Sequence, residues 1–192
     1  MTSRKPHTAR RLAGLLLGLA ALGQAHAADL LSNGTFNQVG PWGPMVVNPP
    51  GSGNGATAAL DWLALKNNDG TTITELLGSR RVPGGKVMRV QVDGERNGLQ
   101  QLFGPFDTGP QTAYACVWVY LISGSVGIGV GNGGGTNGND VQLNKKGSWE
   151  ALEVSNAASP ANSIVIASVG GPADFYIESA RVDTTRVPCK AQ

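Results

Sequence analysis

The chain has almost no histidine. Of its 192 residues only His7 and His26 carry an imidazole, and both fall within the first 27. That stretch has the layout of an export signal: Arg4, Lys5, Arg10 and Arg11 precede an apolar run from Leu12 to Leu22, and Ala25-His26-Ala27 forms a small-residue cleavage site. Cleavage is expected before Ala28. The domain that follows then has no imidazole, which excludes Ser-His-Asp and Cys-His nucleophile systems and any zinc site that uses histidine. Long hydrophobic runs are also missing: the apolar run of the signal is shorter than the roughly 20 residues a helix needs to cross a bilayer core of about 30 Å, and no later segment qualifies. A secreted or periplasmic chain without membrane insertion is expected.

Charge and cysteine are scarce as well. Beyond residue 27, eleven Lys and Arg stand against thirteen Asp and Glu, a formal charge of −2 where the full chain has +2. A nucleic-acid partner loses its electrostatic basis. Cys116 and Cys189 are the only cysteines. In an exported chain such a pair is expected as a disulfide that pins the C-terminal tail, worth roughly 4 kcal/mol in the chain-entropy model.

What is present is period-two patterning. Val87-Met88-Arg89-Val90-Gln91-Val92 puts Met88, Val90 and Val92 on one face and Arg89 with Gln91 on the other, as a half-buried strand requires. The run 112–122 is apolar on both faces, with Tyr114, Cys116, Trp118 and Tyr120 alternating with Ala115, Val117, Val119 and Leu121, and reads as a central strand. Further strands are expected at 30–36, 58–66, 71–77, 98–103, 125–130, 148–154, 163–169 and 174–183, separated by Gly, Asn and Pro. The pattern predicts an all-β fold, a single antiparallel β-sandwich or jelly roll over residues 28–192, with residues 1–27 as the signal peptide. Segments 48–55 and 131–139, dominated by Gly, Asn and Pro, are expected as long loops.

Two glycine-rich motifs carry no chemistry. Gly127-Ile128-Gly129-Val130-Gly131 has no following helix and no βαβ surroundings, so it is not a dinucleotide fingerprint. The segment 134–143 is loosely similar to a calcium-binding nonapeptide repeat, but it has an extra residue and occurs once, whereas such sites need stacked repeats. A hairpin connection is expected there.

Several short motifs share a family. Asp29-Leu30-Leu31-Ser32-Asn33-Gly34-Thr35-Phe36, followed by Trp42, resembles the opening of carbohydrate-binding modules of families four and nine, galactose-binding-like jelly rolls. The segment from Gln111 to Val119 is similar to their central strand, Gly147-Ser148-Trp149-Glu150 to their Gly-x-Trp turn, and Phe175 to Val182 to their closing strand. The resemblance implies a non-catalytic module that binds a polysaccharide or glycan, acting as a monomer. Many such modules hold a structural calcium with an acid after the opening Phe and paired aspartates in the closing strand. Asn37 and Glu178-Ser179 stand at those places here, so neither a cofactor nor a metal site is expected, and only Glu178 with backbone carbonyls is left to supply calcium ligands.

Sugar recognition needs flat apolar platforms for the C–H faces of a ring and planar polar groups that fix hydroxyl directions. Trp62, Trp118, Tyr120 and Trp149 are the platform candidates; Arg89, Gln91, Asn97, Gln100 and Gln101 are the hydrogen-bonding ones. Tryptophans of a sandwich more often belong to its core, which favours core positions for Trp118 and Trp149 and leaves Trp62 balanced. Paired carboxylates, the remaining route to catalysis, are weak: Asp93-Gly94-Glu95 reads as a turn, and Glu150 and Glu153 fall on opposite faces of a strand. The alternative to sugar binding is a structural or adhesive surface protein. An open face with two or more aromatics beside Arg89 and Gln91 would favour the sugar; a face of Ser, Thr and Val would favour the alternative.

Overall fold

A computed structural model describes residues 29–51, 54–66, 70–104, 112–132, 140–156 and 160–189. The signal segment, most of the 131–139 loop and Gln111 lie outside them. Among the described residues twelve strands run in the order β1 (Met45–Asn48), β2 (Gly55–Ala56), β3 (Leu63–Lys66), β4 (Thr72–Gly78), β5 (Lys86–Val92), β6 (Asn97–Leu102), β7 (Ala113–Ser123), β8 (Val126–Gly131), β9 (Val141–Leu143), β10 (Trp149–Asn156), β11 (Ser163–Ser168) and β12 (Ala173–Asp183). They form two six-stranded antiparallel sheets, a front sheet ordered β1-β4-β5-β12-β7-β10 and a back sheet ordered β2-β3-β6-β11-β8-β9. The all-β sandwich expected from the sequence is the observed fold.

Alternation along the front-sheet strands sorts residues between core and surface. On β7, Ala113, Ala115, Val117, Val119 and Leu121 are buried inward, while Tyr114, Cys116, Trp118 and Tyr120 are half-buried on the outer face. On β5, Met88, Val90 and Val92 point in and Arg89 and Gln91 out. Strand β12 pairs with both, and its register slips between Ile177 and Ser179, so that Glu178 is the extra residue of a β-bulge. Ile177 faces the core before the bulge and Ala180 and Val182 face it afterwards. The disulfide forms as expected: Cys116 and Cys189 lie with Cα atoms 5.5 Å apart and tie the tail to the outer face of β7.

Three expectations change. The opening segment 30–36 is a pair of tight turns, with Asn33 and Phe36 in the left-handed region at φ 49° and 57°. It still closes on β12: Leu30 donates to the Val182 carbonyl at 2.7 Å and Ala180 to the Gly34 carbonyl at 2.8 Å. A side chain at Gly34 would place its Cβ against the Ala180 oxygen, so only glycine fits. Within 58–66 only Leu63–Lys66 is strand, because Asp61 turns the chain at φ 66°. The expected loop 48–55 is partly built into the sheets: Asn48 ends β1 and donates from Nδ2 to the Ala56 carbonyl at 2.9 Å, while Gly55 begins β2. Val141-Gln142-Leu143, within the repeat-like segment, is β9 and pairs with β8.

Trp62 belongs to this interior and is no platform. It is 2% exposed, stacks on Phe36 at 5.1 Å between ring centroids, and donates its indole N–H to the Asn33 carbonyl at 3.2 Å. The turn of 33–36 folds over the ring and seals it from solvent. Trp62→Ala is therefore expected to cost about 3–5 kcal/mol of stability, as other large-to-small aromatic truncations do. A urea denaturation curve unchanged from wild type would place the ring outside the core.

Candidate functional site

The outer face of the front sheet carries a straight cross-strand row. Register partners run Met45 to Glu75 to Arg89 to Tyr176 to Tyr120 to Trp149, one residue from each of the six strands. Adjacent strands lie about 4.8 Å apart, which brings such side chains into contact. The Tyr120 ring meets Trp149 at 5.7 Å and Tyr176 at 6.2 Å, both tilted. Trp149 reaches this row through the turn before β10, where Gly147 adopts φ 79° and donates to the Leu121 carbonyl at 3.0 Å. The three rings line a cleft of about 600 Å³ whose other wall is Leu77, Gly78, Arg80 and Arg81.

That wall is the end of β4 and the β4–β5 loop, and the sequence of the loop explains its shape. Val82-Pro83-Gly84-Gly85 is a type II turn: Pro83 fixes the first central position, Gly84 takes φ 75°, and Gly85 donates back to the Val82 carbonyl at 2.9 Å. The Ser79 hydroxyl accepts from the amides of Arg81 (3.1 Å) and Val82 (2.9 Å) and donates to Glu178 Oε1 at 2.9 Å. Glu178, 4% exposed, also accepts from Arg81 Nε at 2.7 Å and Nη2 at 2.5 Å. The arginine is thereby laid over two rings, its guanidinium carbon 4.9 Å from the Trp118 centroid and 5.8 Å from that of Trp149.

At the other end of the row Arg89 and Asp174 form a bidentate pair, Nε to Oδ1 at 3.1 Å and Nη2 to Oδ2 at 2.7 Å, which holds the guanidinium pKa above its usual value. Gln91 adds a bond from Nε2 to Asp174 Oδ2 at 3.3 Å, and the Arg89 guanidinium lies 5.9 Å from the Tyr176 ring. Gln91 and Asp174 open onto a shallow depression of about 460 Å³ with Thr71, Ile73 and Ser123. A further depression by the disulfide is lined by ion pairs satisfied within the protein, Arg181 with Asp183 and Arg186 with Glu153.

The candidates from sequence thus divide. Arg89, Gln91, Trp118 and Tyr120 share the outer face, although Arg81 roofs Trp118. Trp149, expected in the core, belongs to the cleft. Asn97, Gln100 and Gln101 lie on β6 of the back sheet and are 0%, 5% and 1% exposed. Gln101 donates from Nε2 to the carbonyls of Ser32 and Asp61, at 2.8 and 3.1 Å, which props up the opening turn, and its burial keeps it from a ligand. Tyr176, Arg81 and Asp174 were not foreseen, and Glu178 was considered only as a calcium ligand. Tyr176 was readable, since it alternates with the core residues Phe175 and Ile177; Arg81 was not, because its place depends on a loop.

For calcium, the expected contributor Glu178 is engaged by Ser79 and Arg81. The acid that joins the opening segment to the closing strand is Asp29, whose Oδ1 accepts from the amides of Leu31 and Val182, both at 3.1 Å. Burial raises its pKa against those bonds. Among the described residues no group of three or more His, Cys, Asp or Glu is placed to hold a metal ion.

The two-sheet antiparallel sandwich is a fold that solved carbohydrate-binding modules share. No protein-family model matches the sequence, and no curated protein matches it. Among solved structures, a candidate sugar binding protein from Bacteroides thetaiotaomicron superimposes with a TM-score of 0.52 at 11% identity, covering 82% of this chain and 100% of that one. The N-terminal CBM22-1-CBM22-2 tandem domain from Paenibacillus barcinonensis Xyn10C does so with a TM-score of 0.52 at 14% identity, over 84% of this chain and 46% of the tandem. At these identities the likeness is one of fold.

The Arg81–Glu178 pair generates an asymmetric prediction. Arg81→Ala strands a buried carboxylate, a loss of about 3–5 kcal/mol for pairs of this kind. Glu178→Gln leaves a cation that is 31% exposed and can hydrate, so it should cost less, about 1–3 kcal/mol. Urea unfolding of both variants measures the difference; equal costs would mean that Glu178 is solvated.

Proposed function

We propose that the outer face of the front sheet binds carbohydrate, and that the protein is a non-catalytic carbohydrate-binding module exported to the periplasm or beyond. The row of Trp149, Tyr120 and Tyr176, ending on Arg89 and its partner Asp174, carries this reading. Three half-buried rings offer apolar faces to a sugar, and the arginine, already fixed by a carboxylate, offers directed N–H groups at little entropic cost. The sequence resemblance to family four and nine modules at both ends of the domain supports it, as does the description of one structural neighbour as a candidate sugar binding protein.

The carboxylates argue for binding without hydrolysis. Glu150 is engaged by Lys145 and Ser148, and its ion pair with Lys145 holds its pKa below the usual value, the reverse of what a general acid needs. Asp93 and Glu95 lie in the β5–β6 turn. The alternative, an adhesive or structural surface protein, draws on a different feature: Val39, Trp42, Met45 and Val47 are exposed at the β1 edge.

Affinity electrophoresis of residues 28–192 through gels containing xylan, β-glucan, mannan or pectin, with calcium and with chelator, separates the two. Retardation by a polymer is expected, and Tyr120→Ala or Trp149→Ala should weaken it about tenfold, the scale of one aromatic contact. Unchanged mobility across the panel would favour the adhesive role.

A further inference from the structure

We propose that the cleft selects acidic polysaccharide, with Arg80 taking the carboxylate of a uronate; this rests on the carbohydrate reading above and names its ligand class. Among the described residues, those that line the cleft include two arginines and no carboxylate. Of the two, Arg81 is neutralised by Glu178 beneath it. Arg80 is exposed and makes no hydrogen bond or ion pair among the described residues. The described lining therefore carries one uncompensated positive charge, although residues 28–192 as a whole have a formal charge of −2. Localised positive charge on a net negative protein is not a general affinity for polyanions, because the remainder of the surface repels them.

The chemistry suits a carboxylate more than a hydroxyl. Guanidinium groups bind carboxylates through two parallel N–H···O bonds, roughly twice as strong as neutral ones. Arg80 starts from the same braced turn that fixes Arg81, since Ser79 accepts from two amides of the turn and Pro83 and Gly84 close it. Arg81 is bound to Glu178 through Nε and Nη2, and its Nη1 makes no hydrogen bond among the described residues. A pyranose stacked on Tyr120 and Trp149 would thus have one free guanidinium and the free edge of a second beside it. A neutral sugar would leave the charge of Arg80 unused.

The test compares polymers that differ only in charge. Affinity electrophoresis is run through polygalacturonate and fully methyl-esterified pectin, and through glucuronate-substituted xylan and the same xylan with its carboxyls reduced. The acidic member of at least one pair should bind about tenfold or more tightly, the effect of one charge-assisted hydrogen bond. Preference within the first pair puts the uronate in the main chain; preference confined to the second makes it a branch. Arg80→Gln should erase the preference, and Arg80→Lys should retain part of it. Equal affinity within both pairs, or a preference that survives Arg80→Gln, overturns the proposal and leaves sugar binding standing. Acid-selective retardation that survives Tyr120→Ala would be plain ion exchange and would overturn it too. No retardation by any polymer, acidic or neutral, sinks the carbohydrate reading itself.

Discussion

Strand β12 must serve two partners and two faces at once, and the bulge at Glu178 lets it do so. Side chains alternate strictly along a strand, so with Phe175 and Ile177 in the core the unbroken pattern would send Ser179 and Arg181 inward and Ala180 and Val182 out. The extra residue reverses the parity. Val182 is fully buried, and Arg181 pairs with Asp183 at the surface. Glu178 becomes a carboxylate on the outer side with hardly any solvent contact, a position that is costly for a charge without partners. Ser79 and Arg81 are those partners, so one register slip in β12 fixes the conformation of a loop almost 100 residues earlier in the chain.

The same slip organises the cleft. Arg81, drawn down to Glu178, covers Trp118 and the near side of Trp149, and this decides which rings a ligand can reach. Trp118 lies under the Arg81 guanidinium and has its indole nitrogen buried without a hydrogen-bond partner among the described residues, so it supports the arginine and offers no N–H to a ligand. Tyr120, Trp149 and Tyr176 remain half-open. Both arginines that touch the rings are held by carboxylates, Arg81 by Glu178 and Arg89 by Asp174, and each loses less side-chain freedom on meeting a ligand than a free arginine would. Such preorganisation offsets part of the cost of binding to a shallow surface.

Alternation made the sandwich legible. Met88, Val90 and Val92 opposite Arg89 and Gln91, and the long apolar run of β7, placed the front-sheet strands within a residue or two of where they lie. Short edge strands left no such trace: Met45 and Val47 on β1 are apolar yet exposed, and β2 is two residues long. The site was legible in part. Polar residues facing across from apolar ones marked Arg89 and Gln91 correctly as surface. Gln101 and Asn97 carried no such signal: β6 is covered on both faces, and over Gln101 the cover is the opening turn, a contact between segments 69 residues apart. Trp149, expected in the core, lies on the open face, and Trp62, left balanced by the sequence, lies in the core, for the same kind of reason. Nothing local says that residues 33–36 will cap one ring, or that a turn at Gly147 will lift the other onto the open face.

A structural role for the front face would ask for less than is there. A sheet needs its outer residues to be soluble and β-compatible, and Thr or Ser at Tyr120, Tyr176 and Trp149 would satisfy that. Three contiguous rings on a solvated face instead expose apolar surface that costs solubility and adds little to the core. Braced arginines beside them add charge pairs of modest worth to folding, since each arginine is about 30% exposed and partly screened by water. Neither expense is recovered within the folded chain. Both would be recovered if a flat, hydroxylated ring displaced water from Tyr120 and Trp149 and met N–H groups already in position, which is why the face is more economically read as a binding surface than as a wall.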